Sequence, residues 1–192
     1  MAAWHNNVTI WDKEFIMAVW NVIGHQELSG GASSVSFSSI AADYDHLYLL
    51  SSTRSDESTV NSYLNFQVNG DTGSNYTRRA INFNSTSPNS PTGDGGSVWI
   101  YQWLPGGSAP SDTFGICETY FLNYANTDGY KQILSTGTNA SGSTTASEYG
   151  ARFSGGVWES TAAINRVDVI QESGDDFVQY STFTLYGING AG

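Results

Sequence analysis

Apolar and polar residues alternate along most of the chain after residue 33. Val35 and Phe37 are spaced by serines, and Leu64, Phe66 and Val68 are spaced by amide side chains. A repeat of two places successive side chains on opposite faces of a strand. Similar alternation, or a short apolar run, recurs at 46–53, 78–83, 97–104, 114–124, 130–136, 149–154, 164–171 and 177–188. The sequence therefore predicts about ten strands.

Clusters of Gly, Ser, Asn, Asp and Pro separate these runs, and no long helical pattern lies between them. The longest clusters, at 84–96 and 137–147, are expected to be loops. A single open sheet would leave too much apolar surface in water. The expected fold is therefore all-β, a two-sheet antiparallel β-sandwich of the jelly-roll-like kind.

The first residues of the chain follow a different pattern. Val19, Asn21 and Ile23 alternate as in a strand, so we expect a strand at 19–28 and a sandwich domain over 19–192. Residues 1–18 then form an N-terminal arm with several large apolar side chains, which need a cover. The arm either folds back on its own sandwich or docks on a neighbouring subunit.

Composition narrows the classes of partner. Only 13% of residues are charged, and 18 acidic against 7 basic residues give a formal net charge of -11. An acidic surface repels a phosphate backbone, so nucleic acid is not an expected partner. The apolar run from Phe15 to Ile23 is too short and too interrupted to span a membrane. A single cysteine, Cys117, excludes an internal disulfide.

The segment VNGDTGSNY (68–76) contains Asp-Thr-Gly, the tripeptide that carries the catalytic carboxylate of aspartic proteases. Those enzymes pair two such carboxylates, and two aliphatic residues usually precede each one. Here Asn69-Gly70 precedes Asp71, and Asn-Gly after an alternating run is a hairpin signal. We therefore expect Asp71 to lie in a turn and to have no catalytic role.

Other catalytic schemes have weaker support. Cys117 shares a predicted strand face with Thr119 and Phe121, which favours a buried core thiol over a catalytic pair with His46. Glu118 and Glu159 lack the close spacing of sandwich-fold glucanase motifs. The sequence predicts no catalytic residues.

Some acidic clusters and Asn-x-Ser/Thr triplets suggest metal or modification sites. Asp43, Asp45 and His46 cluster at ADYDH, and Asp175-Asp176 precede a strand, but neither spacing matches a known metal loop. We expect solvated turns there, with no metal and no cofactor. Four Asn-x-Ser/Thr triplets are expected products of a chain rich in these residues, since no secretory signal accompanies them: Asn7, Asn75, Asn84 and Asn139.

The run SVWIYQWL (97–104) is apolar on both faces. One face carries Trp99, Tyr101 and Trp103, and a strand buried on both sides needs a second cover besides the opposing sheet. That cover is the arm or a loop, a subunit interface, or a sugar stacked on the rings.

Six phrases of the sequence together resemble a family of small β-sandwich proteins encoded among the structural genes of tailed bacteriophages. The resemblance covers about residues 19–188 and implies a jelly-roll component of the virion, of the cement or decoration type or from a tail-fibre tip. It carries no catalytic signature. The phrases are WNVIG, SSVSFSSIAADYDHLYLL, VNGDTGSNY, NYANTDGYK, AINRVDVI and STFTLYGI.

The leading hypothesis is a non-enzymatic virion protein on the outer capsid surface. It would bind the major capsid protein and copies of itself, as a homotrimer, with Trp4, Trp11 and Phe15 of the arm as interface anchors. The alternative is a tail-fibre or carbohydrate-binding module in which Trp99, Tyr101 and Trp103 form an aromatic platform.

Overall fold

The computed structural model describes residues 19–83, 90, 92–96, 99–139 and 150–189, with the side chains of 92–95 and 99–101 left out of the description. The predicted arm, residues 1–18, lies outside the described residues. The described part of the chain forms β-strands and connecting turns, with no helix.

Twelve strands follow one another in these ranges. They are β1 Val19–Glu27, β2 Ser34–Ser38, β3 His46–Thr53, β4 Asn61–Val68, β5 Tyr76–Phe83, β6 Thr92–Gly96, β7 Trp99–Pro105, β8 Gly115–Leu122, β9 Lys131–Asn139, β10 Gly150–Trp158, β11 Arg166–Gln171 and β12 Thr182–Asn189.

The strands form two antiparallel sheets, which confirms the predicted β-sandwich. The large sheet has eight strands in the order β1-β12-β3-β8-β9-β10-β5-β6, and the small sheet has four in the order β2-β11-β4-β7. The predicted strand at 19–28 is confirmed as β1. All strand pairs within both sheets are antiparallel.

The core lies between the sheets and is built from the alternating residues of each strand. Val35 and Phe37 of β2, and Val167 and Val169 of β11, face inward from the small sheet. The large sheet contributes buried residues such as Leu47, Leu49, Phe121, Phe183 and Leu185. Burial of these side chains, at about 25 cal/mol per Å² of apolar surface, is the main term that holds the layers together.

Two predicted loops contain strand structure. β6 lies inside 84–96, and β9 continues to Asn139, inside 137–147. The sequence of β6, Thr-Gly-Asp-Gly-Gly, has no apolar alternation, so its strand conformation depends on backbone pairing with β5. Both loop predictions were wrong over these residues because hydrogen bonding between strands does not require an apolar pattern.

The Asn-Gly turn is confirmed, but it is not a hairpin. Asn69 and Gly70 have φ angles of 53° and 64°, and the Asp71 amide donates to the Val68 carbonyl at 2.9 Å. Positive φ at both central positions is the type I′ pattern. However, β4 belongs to the small sheet and β5 to the large one. The turn therefore carries the chain from one sheet to the other.

Candidate functional site

The outer face of the large sheet, which points away from the small sheet, carries a continuous row of side chains. Directly paired residues share a face of a sheet. The pairing runs from Val22 through Tyr186, Tyr48, Tyr120 and Leu134 to Gly155, and so crosses six neighbouring strands. Most of these side chains are apolar or aromatic, although the row faces away from the core.

Four rings at one end of this row form a cluster, which we call the ring patch: Trp20, Tyr48, Tyr120 and Tyr186. The centroid of Tyr48 lies 4.7 Å from that of Tyr120 and 4.9 Å from that of Trp20, and Trp20 lies 5.9 Å from Tyr186. These tilted and edge-to-face contacts are favourable ring geometries. Trp20 remains 48% exposed at the edge of the sheet.

Tyr48 is the buried centre of the ring patch. Only 7% of this residue is exposed, although it lies on an outer face. Burial raises the pKa of its phenol, and a hydrogen bond with Glu118 and the charge of that carboxylate raise it further. The ring patch is therefore a preformed aromatic surface with one polar contact, between Tyr48 and Glu118.

An apolar groove adjoins the ring patch over β8, β9, β10 and β5. Two connected hollows of about 550 and 400 Å³ share Phe153 as a wall. The groove is lined by exposed or half-exposed apolar side chains, and Gly155 contributes no side chain to its floor. These side chains are Ile81, Phe83, Ile116, Leu122, Leu134 and Phe153.

The structure describes one of the three side chains of the predicted aromatic platform, that of Trp103. Trp103 lies on β7, the edge strand of the small sheet, and is 5% exposed. Its ring is covered and cannot stack on a sugar in this conformation. Trp99 and Tyr101 belong to the same strand, but their side chains lie outside the description. Burial of Gln102, Trp103 and Leu104 agrees with the expectation that both faces of this strand are covered.

The predicted interface anchors of the arm lie outside the described residues. Trp4, Trp11 and Phe15 all precede Val19, where β1 begins. Their role stays a prediction.

The carboxylate of Asp71 accepts hydrogen bonds that hold a turn in place. Its Oδ2 accepts hydrogen bonds from the Trp158 indole at 2.7 Å and from Asn75 Nδ2 at 2.8 Å, and its Oδ1 accepts from the Gly73 amide at 2.8 Å. These bonds, that from Trp158 first, hold the pKa of the carboxyl below its usual value. A carboxylate occupied in this way braces a turn, in agreement with the sequence interpretation.

Cys117 and His46 are not brought together. His46 pairs with Leu122, five residues further along β8 than Cys117, and its Nδ1 accepts a hydrogen bond from the Asn123 amide at 3.1 Å. Cys117 is buried beside Thr119 and Ser135. Burial raises the pKa of its thiol to about 11, which disfavours the thiolate needed for nucleophilic chemistry.

The carboxylates and imidazoles of the described residues do not converge on one point. No group of three or more His, Cys, Asp or Glu side chains in this part of the chain could hold a metal ion, and this includes the candidates Asp43, Asp45, Asp175 and Asp176. Within the same residues, no helical segment has the length and apolar character required to cross a bilayer.

Sequence reasoning missed the outer face of the large sheet. The signal was present, because β3 and β8 are apolar on both faces, with Leu47 and Phe121 pointing inward and Tyr48 and Leu122 pointing outward. From the sequence, the strand at 97–104 is the one expected to be covered on both faces.

Comparison with known proteins gives no relative: no protein-family model matches the chain, and no curated protein matches it significantly in sequence. The resemblance to bacteriophage virion proteins therefore stays a prediction.

Proposed function

We propose that the protein is a non-enzymatic structural subunit of a bacteriophage virion, of the capsid cement or decoration type, which binds neighbouring proteins through the outer face of its large sheet. The observation that carries the proposal is the extent of exposed apolar surface on this face. Monomeric proteins rarely leave a contiguous apolar surface of several strands in water, and such surfaces mark binding sites.

The exposure of individual side chains supports this assignment. Trp20 and Val22 are 48% and 60% exposed at one end of the face, and Phe83, Ile116 and Phe153 are 44% to 52% exposed at the other. Leu134 and Tyr120 pair directly between them, so the two ends form one surface. Interface regions that contribute most to binding are enriched in Trp and Tyr, the residues of the ring patch.

The strand order is also compatible with a virion role. When β5, β6, β9 and β10 are set aside, the sheets reduce to β1-β12-β3-β8 and β2-β11-β4-β7. This is the order expected of an eight-stranded jelly roll made from two Greek keys, an architecture found in viral capsid and lectin domains. We infer a jelly roll with two inserted strand pairs that widen one sheet.

Quantitative mass spectrometry of purified particles tests the placement. Hundreds of copies per particle are expected of a shell protein, and a few copies would contradict the cement assignment.

Binding of the purified protein to capsids that lack it tests whether the outer face of the large sheet is the binding surface. Trp20→Ala is expected to weaken binding at least about tenfold, since aromatic anchors dominate interfaces. Tyr180→Ala is the matched control, because Tyr180 is 63% exposed but lies in the turn before β12.

A carbohydrate-binding function is the second candidate, and the ring patch is the observation that favours it. A half-exposed Trp20 beside Tyr186 offers an aromatic surface on which a sugar ring can stack. A glycan array separates the two functions. Binding that is lost in Trp20→Ala and kept in Tyr180→Ala, with no protein on capsids, would replace the cement proposal with a lectin.

A further inference from the structure

We propose that the apolar groove is the docking site for the N-terminal arm of the same chain, with Phe15 and Trp11 as the side chains that fill it. This inference goes beyond the proposed function, because it concerns the isolated subunit. It assigns Trp11 and Phe15 to the groove of their own chain and not to an interface with other proteins, and it limits the surface left for a partner to the ring patch.

The position where the arm joins the sheet leads directly to the groove. Trp20 pairs with Ile188, Ile188 with His46, and His46 with Leu122. These four residues form one row across the outer face, and Leu122 lines the groove. A chain that leaves β1 at Val19 therefore starts at the row that ends at the mouth of the groove.

The length of the arm matches the distance to be crossed. Neighbouring strands lie about 4.8 Å apart, so Leu122 is roughly 14 Å from Trp20. Phe153 lies five strands from β1 and four residues along β10 from the row of Trp20, so it is roughly 27 Å away. An extended chain advances about 3.3 Å per residue, so Phe15 reaches roughly 16 Å from Trp20 and Trp11 roughly 30 Å. Phe15 can therefore reach Leu122, and Trp11 can reach Phe153.

The chemistry of the arm fits an apolar groove. In an extended segment one side carries Trp11, Lys13, Phe15 and Met17, and the other carries Asp12, Glu14 and Ile16. The two rings can thus enter the groove while the two carboxylates stay in water, and the long side chain of Lys13 can extend its ammonium group to the rim. Gly155 adds depth, because the nearest atom to a Cβ at that position would be Leu134 Cδ1 at 4.0 Å.

The arm of the same chain is favoured over the arm of a second copy by its tether. A short connection holds the arm at an effective concentration in the millimolar range, roughly a thousandfold above a micromolar solution of other copies. Docking on the same chain also costs no translational freedom. The ring patch is then the part of the outer face that remains for a partner.

Limited trypsin digestion of the full-length protein tests docking, because Lys13 lies between the two anchors. Phe153→Glu places a charge in the groove wall and is expected to speed cleavage after Lys13 at least about tenfold, since cleavage tracks the undocked population. Tyr180→Glu is the matched control and is expected to leave the rate unchanged. Cleavage after Arg54, inside the fold, reports any general unfolding of either variant. Equal rates after Lys13 in all three proteins would overturn the proposal.

A cysteine pair identifies which copy supplies the arm. Phe15→Cys combined with Leu122→Cys is expected to form a disulfide within one chain under mild oxidation at low micromolar concentration. The control pair, Phe15→Cys with Ser38→Cys, places the second thiol on the outer face of the small sheet. Disulfide-linked dimers, or equal yields from both pairs, would contradict docking on the same chain. Both experiments use the isolated protein, so their failure leaves the virion assignment untouched.

Discussion

The indole Nε1–H of Trp158 donates a hydrogen bond of 2.7 Å to Oδ2 of Asp71. Trp158 is the last residue of β10 in the large sheet, and Asp71 follows β4 of the small sheet. The bond therefore fixes the crossing between the two sheets. Trp158 is 3% exposed, so the bond also satisfies a buried donor.

Asp71→Asn is expected to lower the free energy of unfolding by about 1–2 kcal/mol, because an amide cannot accept three hydrogen bonds from the same positions. One of the donors of Trp158, Asn75 or Gly73 would then face an NH₂ group. Urea unfolding at pH 7 measures the effect. Asp128→Asn, which removes an exposed carboxylate, is the control and is expected to change little. Equal stabilities of the two variants would contradict a bracing role for Asp71.

The lowered pKa of Asp71 predicts that the stability of the protein depends on pH in the acidic range. The folded-state pKa of Asp71 lies below its usual value, so its stabilising effect is complete above the unfolded-state pKa, near 4. The effect is lost as the pH falls through the lower, folded-state value. The stability gap between wild type and Asp71→Asn is therefore expected to be constant from pH 7 to 5 and to narrow below about pH 4. A gap that persists unchanged at pH 2 would rule out this linkage.

Much of the fold could be predicted from the sequence because alternation is a local property. The run predicted at 46–53 coincides with β3, His46–Thr53, since its inward leucines alternate with other side chains. β6 could not be predicted, because Thr-Gly-Asp-Gly-Gly presents no side-chain pattern and is held by its neighbour. The Asn69-Gly70 turn was predictable because Asn and Gly tolerate the positive φ angles that they adopt here, but the sheet that receives the next strand was not predictable.

The candidate site could not be predicted from any short stretch of sequence, because its residues come from strands that are far apart along the chain. Tyr48 and Tyr120 are adjacent on the outer face although 72 residues separate them in sequence. Each strand alone shows only that both of its faces are apolar, and not which face is covered. Trp103 and Trp20 illustrate the consequence, since the first is buried and the second is half exposed.

Arg54 is expected to order the loop between β7 and β8. Its guanidinium donates to the carbonyls of Gly107, Ala109, Pro110 and Thr113 and to the Thr113 hydroxyl, at 2.6 to 3.3 Å. Arg54→Met is expected to cost about 1–3 kcal/mol of stability, because these acceptors lose their donors.

Hydrogen–deuterium exchange of residues 106–113 measures the local effect of Arg54, and faster exchange is expected in Arg54→Met. Arg54→Lys keeps the charge but cannot span acceptors on several sides. It is therefore expected to restore only part of the protection, and full restoration would show that charge alone orders the loop.

Cys117 is expected to be unreactive in the folded protein. Its pKa of about 11, raised by burial, lowers the thiolate fraction at pH 8 by more than about a hundredfold relative to a free thiol. Reaction with a thiol reagent is therefore expected to be very slow in buffer and fast in denaturing urea. Fast native labelling at pH 8 would contradict the buried position of this side chain between Thr119 and Ser135.

Gly187 on β12 is required by the ring of Tyr44, which packs directly on its α-carbon. A Cβ at this position would overlap the Tyr44 ring. Gly187→Ala is therefore expected to destabilise the protein by about 1–3 kcal/mol, the usual cost of overpacking. Gly155→Ala is the matched control on a strand, because the nearest atom to a Cβ there would be Leu134 Cδ1 at 4.0 Å, an ordinary contact distance. It is expected to change stability by less than about 0.5 kcal/mol. Thermal or urea unfolding compares the two, and an equal loss in both variants would indicate that general strand propensity, and not contact with Tyr44, requires the glycine.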